Sequence, residues 1–208
     1  MSSKQYFEEV AGKWDSMRSS FFPESVREKA VAKAAVQAGS VAADLGAGTG
    51  FITEELLKFG ARVIAVDQAE NMLQLMKEKF GPGASVEYRL GEAEQLPIDA
   101  DAVDYAFANM YLHHVEHPSE AIKEMVRILK PGGKLVITDL DEHNFKFLVT
   151  EQHDRWMGFK REDVKRWFEE AGLKNVSVES ASATCSSTSQ SASVQANVSI
   201  FLAYGEKV

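Results

Sequence analysis

The 208-residue sequence contains one cysteine, Cys185, which excludes an internal disulfide and any cysteine-rich metal site. It has no long basic cluster. Lys and Arg number 23 against 31 Asp and Glu, for a net charge of −8, so a nucleic-acid-binding surface is disfavoured and the acidic balance reads as ordinary solubility. No apolar run approaches membrane-spanning length, and the N-terminal Met-Ser-Ser-Lys-Gln-Tyr holds no apolar signal core. These absences set the expectations: a soluble cytoplasmic protein, monomer or homodimer, without a membrane or nucleic-acid partner.

What is present is a core. With 45% hydrophobic and 26% charged residues, the chain is expected to fold as a single domain over 1–208, an N-terminal helical cap over 1–39 preceding an α/β core over 40–208. Short runs rich in Val, Ile, Leu, Ala or Tyr predict strands at 40–45, 62–66, 85–90, 103–108 and 134–139. Helical stripes fall between them. Met72, Leu75 and Met76 share a face over 70–79, and Ile122, Met125, Val126 and Leu129 stripe 118–129, which opens at Pro118 and stops at Lys130-Pro131-Gly132-Gly133. This alternation predicts a doubly wound, mostly parallel sheet in three layers. After a helix at 160–171, strands at 174–180 and 195–204 complete seven strands, and the Ser/Thr-rich stretch 180–193 reads as a mobile loop. Before residue 39, two helices are expected, the first striped by Phe7, Val10, Trp14 and Met17.

The densest signal is Val41-Ala42-Ala43-Asp44-Leu45-Gly46-Ala47-Gly48-Thr49-Gly50. A strand ends in an acid, glycines alternate through Gly46, Gly48 and Gly50, and a helix begins at Phe51. Such a turn brings a ligand against bare backbone and offers it the unpaired N–H groups of a helix start. Two ligand classes use it. The nicotinamide fingerprint requires a small third residue where this chain has Phe51, and Asp44 sits poorly beside a pyrophosphate but suits a cationic group. Asp67 closes the second strand about 20 residues past the turn, where an acid accepts from both hydroxyls of a ribose; the plain alternative is an N-cap for the following helix, and the two are compatible.

The stretch Asp44-Leu45-Gly46-x-Gly48-x-Gly50 resembles the first motif of the class I S-adenosylmethionine-dependent methyltransferases. Across residues 5–139 the chain is similar to the ubiquinone and menaquinone methyltransferase-like branch, and residues 138–159 resemble methyltransferase domains that accompany winged-helix metalloregulators. The resemblance implies a Rossmann-like methyltransferase fold whose last strand is inserted antiparallel. It implies S-adenosylmethionine as cofactor, held by Asp44, Gly46, Ala47, Gly48 and Gly50, by Asp67 with Gln68 and Met72, and at its amino-acid end by Asn109. Gly91-Glu92-Ala93-Glu94-Gln95-Leu96-Pro97 resembles the family segment that meets the adenine, so Glu92 and Ala93 are expected there, although the family has Asp where this chain has Glu92.

The acceptor is expected to be a small molecule entering beyond the fourth strand, near Leu112-His113-His114. Two readings of that pair stand side by side: a general base, taken first as His114 and then as His113 or Asp139, or loop anchors bonded to backbone. Trp14 is open in the same way, as part of an aromatic lid or as core. The five histidines match no local metal motif in their spacing, and methyl transfer from a sulfonium needs no Lewis acid, so no metal is expected. A lone Cys185 argues against arsenite, whose methyltransferases use several thiolates. The competing functions are a non-catalytic binding module and, less favoured, a nicotinamide oxidoreductase.

Overall fold

The computed structural model describes residues 3–189 and 194–208. Three helices lead: α1 (Ser3–Val10), α2 (Trp14–Phe21) and α3 (Ser25–Ala34). The first expected helix is thus broken by a 3₁₀ turn at Ala11–Lys13, where Gly12 gives no helical preference. The core follows as β1 (Val41–Leu45), α4 (Phe51–Lys58), β2 (Arg62–Asp67), α5 (Glu70–Phe80), β3 (Val86–Leu90), β4 (Val103–Asn109), α6 (Pro118–Ile128) and β5 (Leu129–Leu140). A short α7 (Lys146–Glu151), α8 (Arg161–Glu170), β6 (Leu173–Thr188) and β7 (Gln195–Lys207) close the chain. Among the described residues, no helix is long and apolar enough to cross a membrane.

The strands form one seven-stranded sheet in the order β3-β2-β1-β4-β5-β7-β6, parallel except for β7, which runs antiparallel between β5 and β6. The strand order reverses at β1 and β4, and a crevice opens beyond their carboxyl ends at such a switch point. One face of the sheet is buried by α6 and α8 through Ile122, Met125, Val164 and Phe168. The other is buried by α3 and α4 through Val26, Ala30, Ile52 and Leu56, and α5 continues that layer with Met76 against Ala65. The expected three layers and antiparallel strand are present.

The C-terminal hairpin corrects the expectation of a loop from residue 180. β6 runs on to Thr188, with Thr184, Cys185, Ser186, Ser187 and Thr188 paired to Ser199 through Gln195 of β7. A break in register between Ser180 and Thr184, where Ser182 takes φ 52°, turns the strand before it resumes. Serine and threonine suit an outward strand face, and Ala181, Ala183 and Cys185 supply the inward one. Residues 190–193 of the expected loop lie outside the described residues.

A segment between α7 and α8 is stitched to the sheet end by main chain. Phe159 N–H donates to Leu140 O and Glu142 N–H to Phe159 O, both at 3.0 Å, while Arg155 and Trp156 N–H both donate to His113 O at 3.0 Å. Trp156 Nε1 reaches Val115 O at 2.8 Å, and Arg161 forks onto Asp141 at 2.7 and 2.6 Å. This brings Asp154 over the 3₁₀ turn Leu112–His114. The closure depends on Gly158, which has φ 68° and whose added Cβ would stand 2.2 Å from Asp141 O. Gly158→Ala is expected to cost about 2 kcal/mol or more, since the strained φ and a backbone overlap both oppose it. Thermal melting should show a midpoint lowered by roughly 4–8 °C; an unchanged midpoint would contradict this closure.

Candidate functional site

A crevice opens beyond β1 and β4, lined by Gly46, Ala47, Gly48, Asp67, Asn109 and Tyr111. Its floor is the turn after β1. Gly46 and Gly48 have φ of 66° and 54°, values that glycine adopts without penalty. A Cβ on Gly46 would lie 2.3 Å from the Tyr111 ring, and one on Gly48 3.4 Å from Trp14 Nε1, so both glycines let aromatic or ligand surfaces come flush with backbone.

Asp67, at the end of β2, forms one wall. Its carboxylate accepts from Gly48 N–H and Ala69 N–H, each at 2.8 Å, so it fixes the glycine turn; it does not cap α5, whose N-cap position is Ala69. Burial raises its pKa despite these bonds. Gln68, Met72, Asn109 and Trp14 line the same space, as do Ala47, Met110, Tyr111 and His114. Asn109 Oδ1 accepts from Thr138 at 2.8 Å, which leaves its side-chain N–H groups for the cavity.

Asp44 is placed differently. It is buried behind the turn, where its Oδ2 accepts from Thr53 N–H at 2.9 Å and Thr53 Oγ1 at 2.7 Å. It therefore caps α4 from the neighbouring strand, satisfying an N–H that the first turn of a helix leaves unpaired. Burial, joined by the nearby Asp67 charge, holds its pKa at about 6 against those two bonds. Gly50 takes φ 92° at the start of α4, with no room for a Cβ beside Phe80. Glu92 is exposed and Ala93 is packed into the core, neither on the lining of the crevice.

Sequence reasoning missed Arg18. It lies on α2 in a stretch without a motif, yet it is only 9% exposed and lines the crevice. Its Nη2 meets Glu24 at 3.2 Å and its guanidinium carbon sits 4.3 Å from the centre of the Phe51 ring. Its Nε and Nη1 are buried with no hydrogen-bond partner among the described residues. Two unpaired cationic donors in a buried wall call for a carboxylate. The amino-acid end of S-adenosylmethionine carries one, and with a nucleoside cradle at Asp67 the residues present fit that cofactor.

A second chamber adjoins the first and shares Phe7, Trp14, Phe22, Met110 and His114 with it. Phe7 meets both Trp14 and His114 edge-on, at 5.2 and 5.0 Å between ring centres, so the expected aromatic stripe of α1 packs and covers at once. α1 is moored by Glu8, whose carboxylate accepts from Glu70 and Asn71 N–H at the start of α5. Cys185 also borders this chamber, and burial pushes its thiol up to about 12, which keeps it protonated near neutral pH.

The far end of this chamber is polar. Asp139, fully buried at the end of β5, accepts from Leu112 N–H at 2.8 Å, Leu140 N–H at 2.7 Å and His113 N–H at 3.3 Å, and it meets His113 Nδ1 at 2.6 Å. His113 Nε2 lies 3.7 Å and His114 Nε2 4.0 Å from Asp154 Oδ1. Burial would lower the pKa of His113, but Asp139 and Asp154 outweigh it and raise the value to about 9. Burial and the neighbouring His113 push His114 well below its ordinary value. Asp154, which carries no site signal of its own in the sequence, is pushed up to about 6, chiefly by burial. The structure thus brings His113, His114 and Asp139 together.

A family profile described as a methyltransferase domain matches residues 43–137. Demethylmenaquinone methyltransferase of Staphylococcus aureus is 31% identical to this chain over 206 residues, covering 84% of this chain and 86% of the relative. Among solved structures, a SAM-dependent methyltransferase from Aquifex aeolicus superposes with a TM-score of 0.70 at 22% identity over 97% of this chain and 98% of its own. Phosphoethanolamine N-methyltransferase 2 of Haemonchus contortus, in complex with phosphomonomethylethanolamine and S-adenosylhomocysteine, superposes with a TM-score of 0.72 at 19% identity over 87% of this chain and 52% of its own.

Two expectations follow from this geometry. Arg18→Gln should weaken S-adenosylmethionine binding by roughly 10- to 100-fold, the value of a hydrogen-bonded ion pair, while 5′-methylthioadenosine, which has no carboxylate, binds both proteins alike. Asp67→Ala should weaken both ligands. Calorimetry distinguishes the two, and equal losses for both ligands in Arg18→Gln would remove the carboxylate assignment. The second concerns Asp44. Its folded pKa of about 6 exceeds the unfolded value near 3.8, so the folded state keeps a proton that the unfolded chain releases. Stability from this group is therefore lost as pH rises from about 4 through 6. Denaturation curves of Asp44→Asn should vary less with pH than wild type across that window, and parallel pH profiles would contradict the assignment.

Proposed function

The chain belongs to the class I S-adenosylmethionine-dependent methyltransferases, and from that premise we propose that it methylates a small, planar, largely apolar acceptor carrying one ionisable group. The observation behind this reading is the shared wall of the two cavities: His114, Phe7, Trp14, Phe22 and Met110 border both the nucleoside crevice and the aromatic chamber. Tyr6, Phe21 and Leu148 continue the chamber's apolar lining. Flat aromatic surfaces of this kind favour a flat ligand, and the similar Staphylococcus aureus enzyme is named for a quinone precursor.

In the proposed arrangement Asp67 takes the ribose hydroxyls, with Gln68 and Met72 beside it. Gly46, Ala47, Gly48 and Gly50 give the turn against which the nucleoside lies. Glu92 and Ala93, which the family resemblance assigns to the adenine end, lie off the crevice lining and take no contact in this arrangement. Asn109 and Arg18 hold the amino-acid end, and Asp44 acts from behind the turn by fixing α4 and setting a negative charge beneath it. Trp14 closes over the crevice. When bound, S-adenosylmethionine supplies a methyl group on a positively charged sulfur, open to attack by a nucleophile in line with the breaking bond.

The chain's own contribution is then mainly positional. Holding two reactants in line supplies up to roughly 7–11 kcal/mol towards a barrier in favourable cases. α1 and α2 cover both chambers and exclude water. His113 and His114 face the acceptor's ionisable group and favour its deprotonated form, with Asp139 behind His113. His114 lines both chambers, and Asp139 holds the His113 ring in one orientation.

The test is transfer of labelled methyl from S-adenosylmethionine to a panel of phenols, catechols, quinols, amines and thiols. Turnover is expected with hydroxylated aromatic acceptors, and His114→Ala should lower kcat by about 100-fold or more. Turnover restricted to aliphatic amines or thiols would overturn the acceptor class. Binding of S-adenosylmethionine with no turnover on any acceptor would favour a non-catalytic module.

A further inference from the structure

The polar end of the acceptor chamber has a gap that its own residues do not fill. His113, His114 and Asp154 each turn one ligating atom toward the others, all within 4.8 Å. The Asp154 side chain is buried, and the two imidazole nitrogens face it at 3.7 and 4.0 Å, too far for hydrogen bonds. Asp139 and Asp154 place two carboxylates around these rings, and no Lys or Arg pairs with either among the described residues. His113 can offset only one of the two, and a second buried carboxylate without a matching cation is costly. A cation in the gap removes the cost.

The identity of that cation follows from the donors. Asp139 accepts three main-chain N–H groups and so acts as an acceptor toward His113 Nδ1, which fixes a proton there, so that an ion binding at Nε2 displaces only the proton that otherwise faces Asp154. A carboxylate behind a ligating histidine is the usual support for a metal-bound imidazole. Two imidazoles and one carboxylate match a first-row transition ion with open positions, whereas magnesium and calcium take oxygen sets. Two ligands at about 2.0–2.2 Å from a tetrahedral zinc stand roughly 3.3 Å apart. The observed 3.7 and 4.0 Å close to that value with shifts of less than an ångström.

We propose that His113, His114 and Asp154 form a binding site for one divalent transition-metal ion, zinc in the first instance, with open coordination positions facing the acceptor chamber. The ligands are a neighbouring pair of histidines and an acid far along the chain, so no local spacing in the sequence announces them. Resting on the acceptor reading above, the ion would receive the acceptor's heteroatom and ease its deprotonation. The O–H, N–H or S–H proton leaves to solvent, and the anion stays on the metal. It then takes the methyl group as the sulfur–carbon bond breaks with its electron pair remaining on sulfur.

The test reads metal binding directly. Full-length protein stripped with EDTA is titrated with Zn²⁺ against a chromophoric competitor, and with Co²⁺ while visible d–d bands are recorded. One ion per chain is expected, with Asp154→Asn and Asp139→Asn each weakening Zn²⁺ binding by about 10- to 100-fold. S-adenosylmethionine affinity, measured on the same Asp154→Asn sample by calorimetry, should match wild type, which excludes misfolding as the cause. Absence of a stoichiometric ion at micromolar Zn²⁺, or equal Zn²⁺ affinity in wild type and Asp154→Asn, would overturn the site. Neither readout needs an acceptor, so a failed methyl-transfer assay leaves this result standing.

Discussion

The Asp139 carboxylate ties the two halves of the site together. It lies near the end of β5 inside the sheet, fully buried, and its oxygens gather the main-chain N–H groups of Leu112, His113 and Leu140 and the ring of His113. Such a buried carboxyl group is tolerated because hydrogen bonds replace the lost water. The bonds in turn fix where the chain goes after β4. The 3₁₀ turn Leu112–His114 is held against β5, His113 is locked in one orientation, and the wall common to both chambers is set.

Around that anchor the site is built from buried charges of one prevailing sign. Asp44, Asp67 and Asp154 all have raised pKa values, and burial is the first cause in each. Natural cores avoid this because an uncompensated buried carboxylate destabilises the fold. Here the acids surround spaces shaped for cations or polyols. The crevice presents Asp67 beside bare glycine backbone, and Arg18 offers the opposite charge in the same space. A zwitterionic ligand with a positively charged sulfur matches that distribution in a way a diphosphate does not. The destabilisation of the empty protein and the affinity for the ligand are then two expressions of the same electrostatic field.

Most of the fold is legible in the sequence because hydrophobic periodicity and glycine punctuation are local signals. Strands β1 to β4, helices α4 to α6 and the antiparallel last strand follow the expected positions to within a few residues, and Asp67 falls beside the glycine turn as its spacing implies. What was not legible is non-local. The polar stretch 180–188 looks like a loop in isolation, and its inward Ala181, Ala183 and Cys185 reveal a strand only once β7 is alongside. Arg18 and Asp154 escape for the same reason. Each reaches its site through tertiary contacts, Arg18 by way of Phe51 and Glu24 and Asp154 by way of the main chain of His113, and neither sits in a run of residues whose spacing carries chemistry. Asp44 is the reverse case. Its position in the motif suggests a direct ligand contact, whereas the folded chain commits its carboxylate to Thr53 and the start of α4.

That last placement bears on how a glycine turn of this kind works. A helix start donates N–H groups, and an acid directly behind it takes one that faces inward, at Thr53. Asp44 thus polarises and stiffens the turn from beneath, and Asp67 holds the same turn from the side through Gly48 N–H. Two acids bracing one short loop explain why the loop keeps its left-handed glycines at fixed angles. The cradle is rigid because its supports are buried charges with few alternative partners, and a rigid cradle loses little entropy when a ligand settles into it.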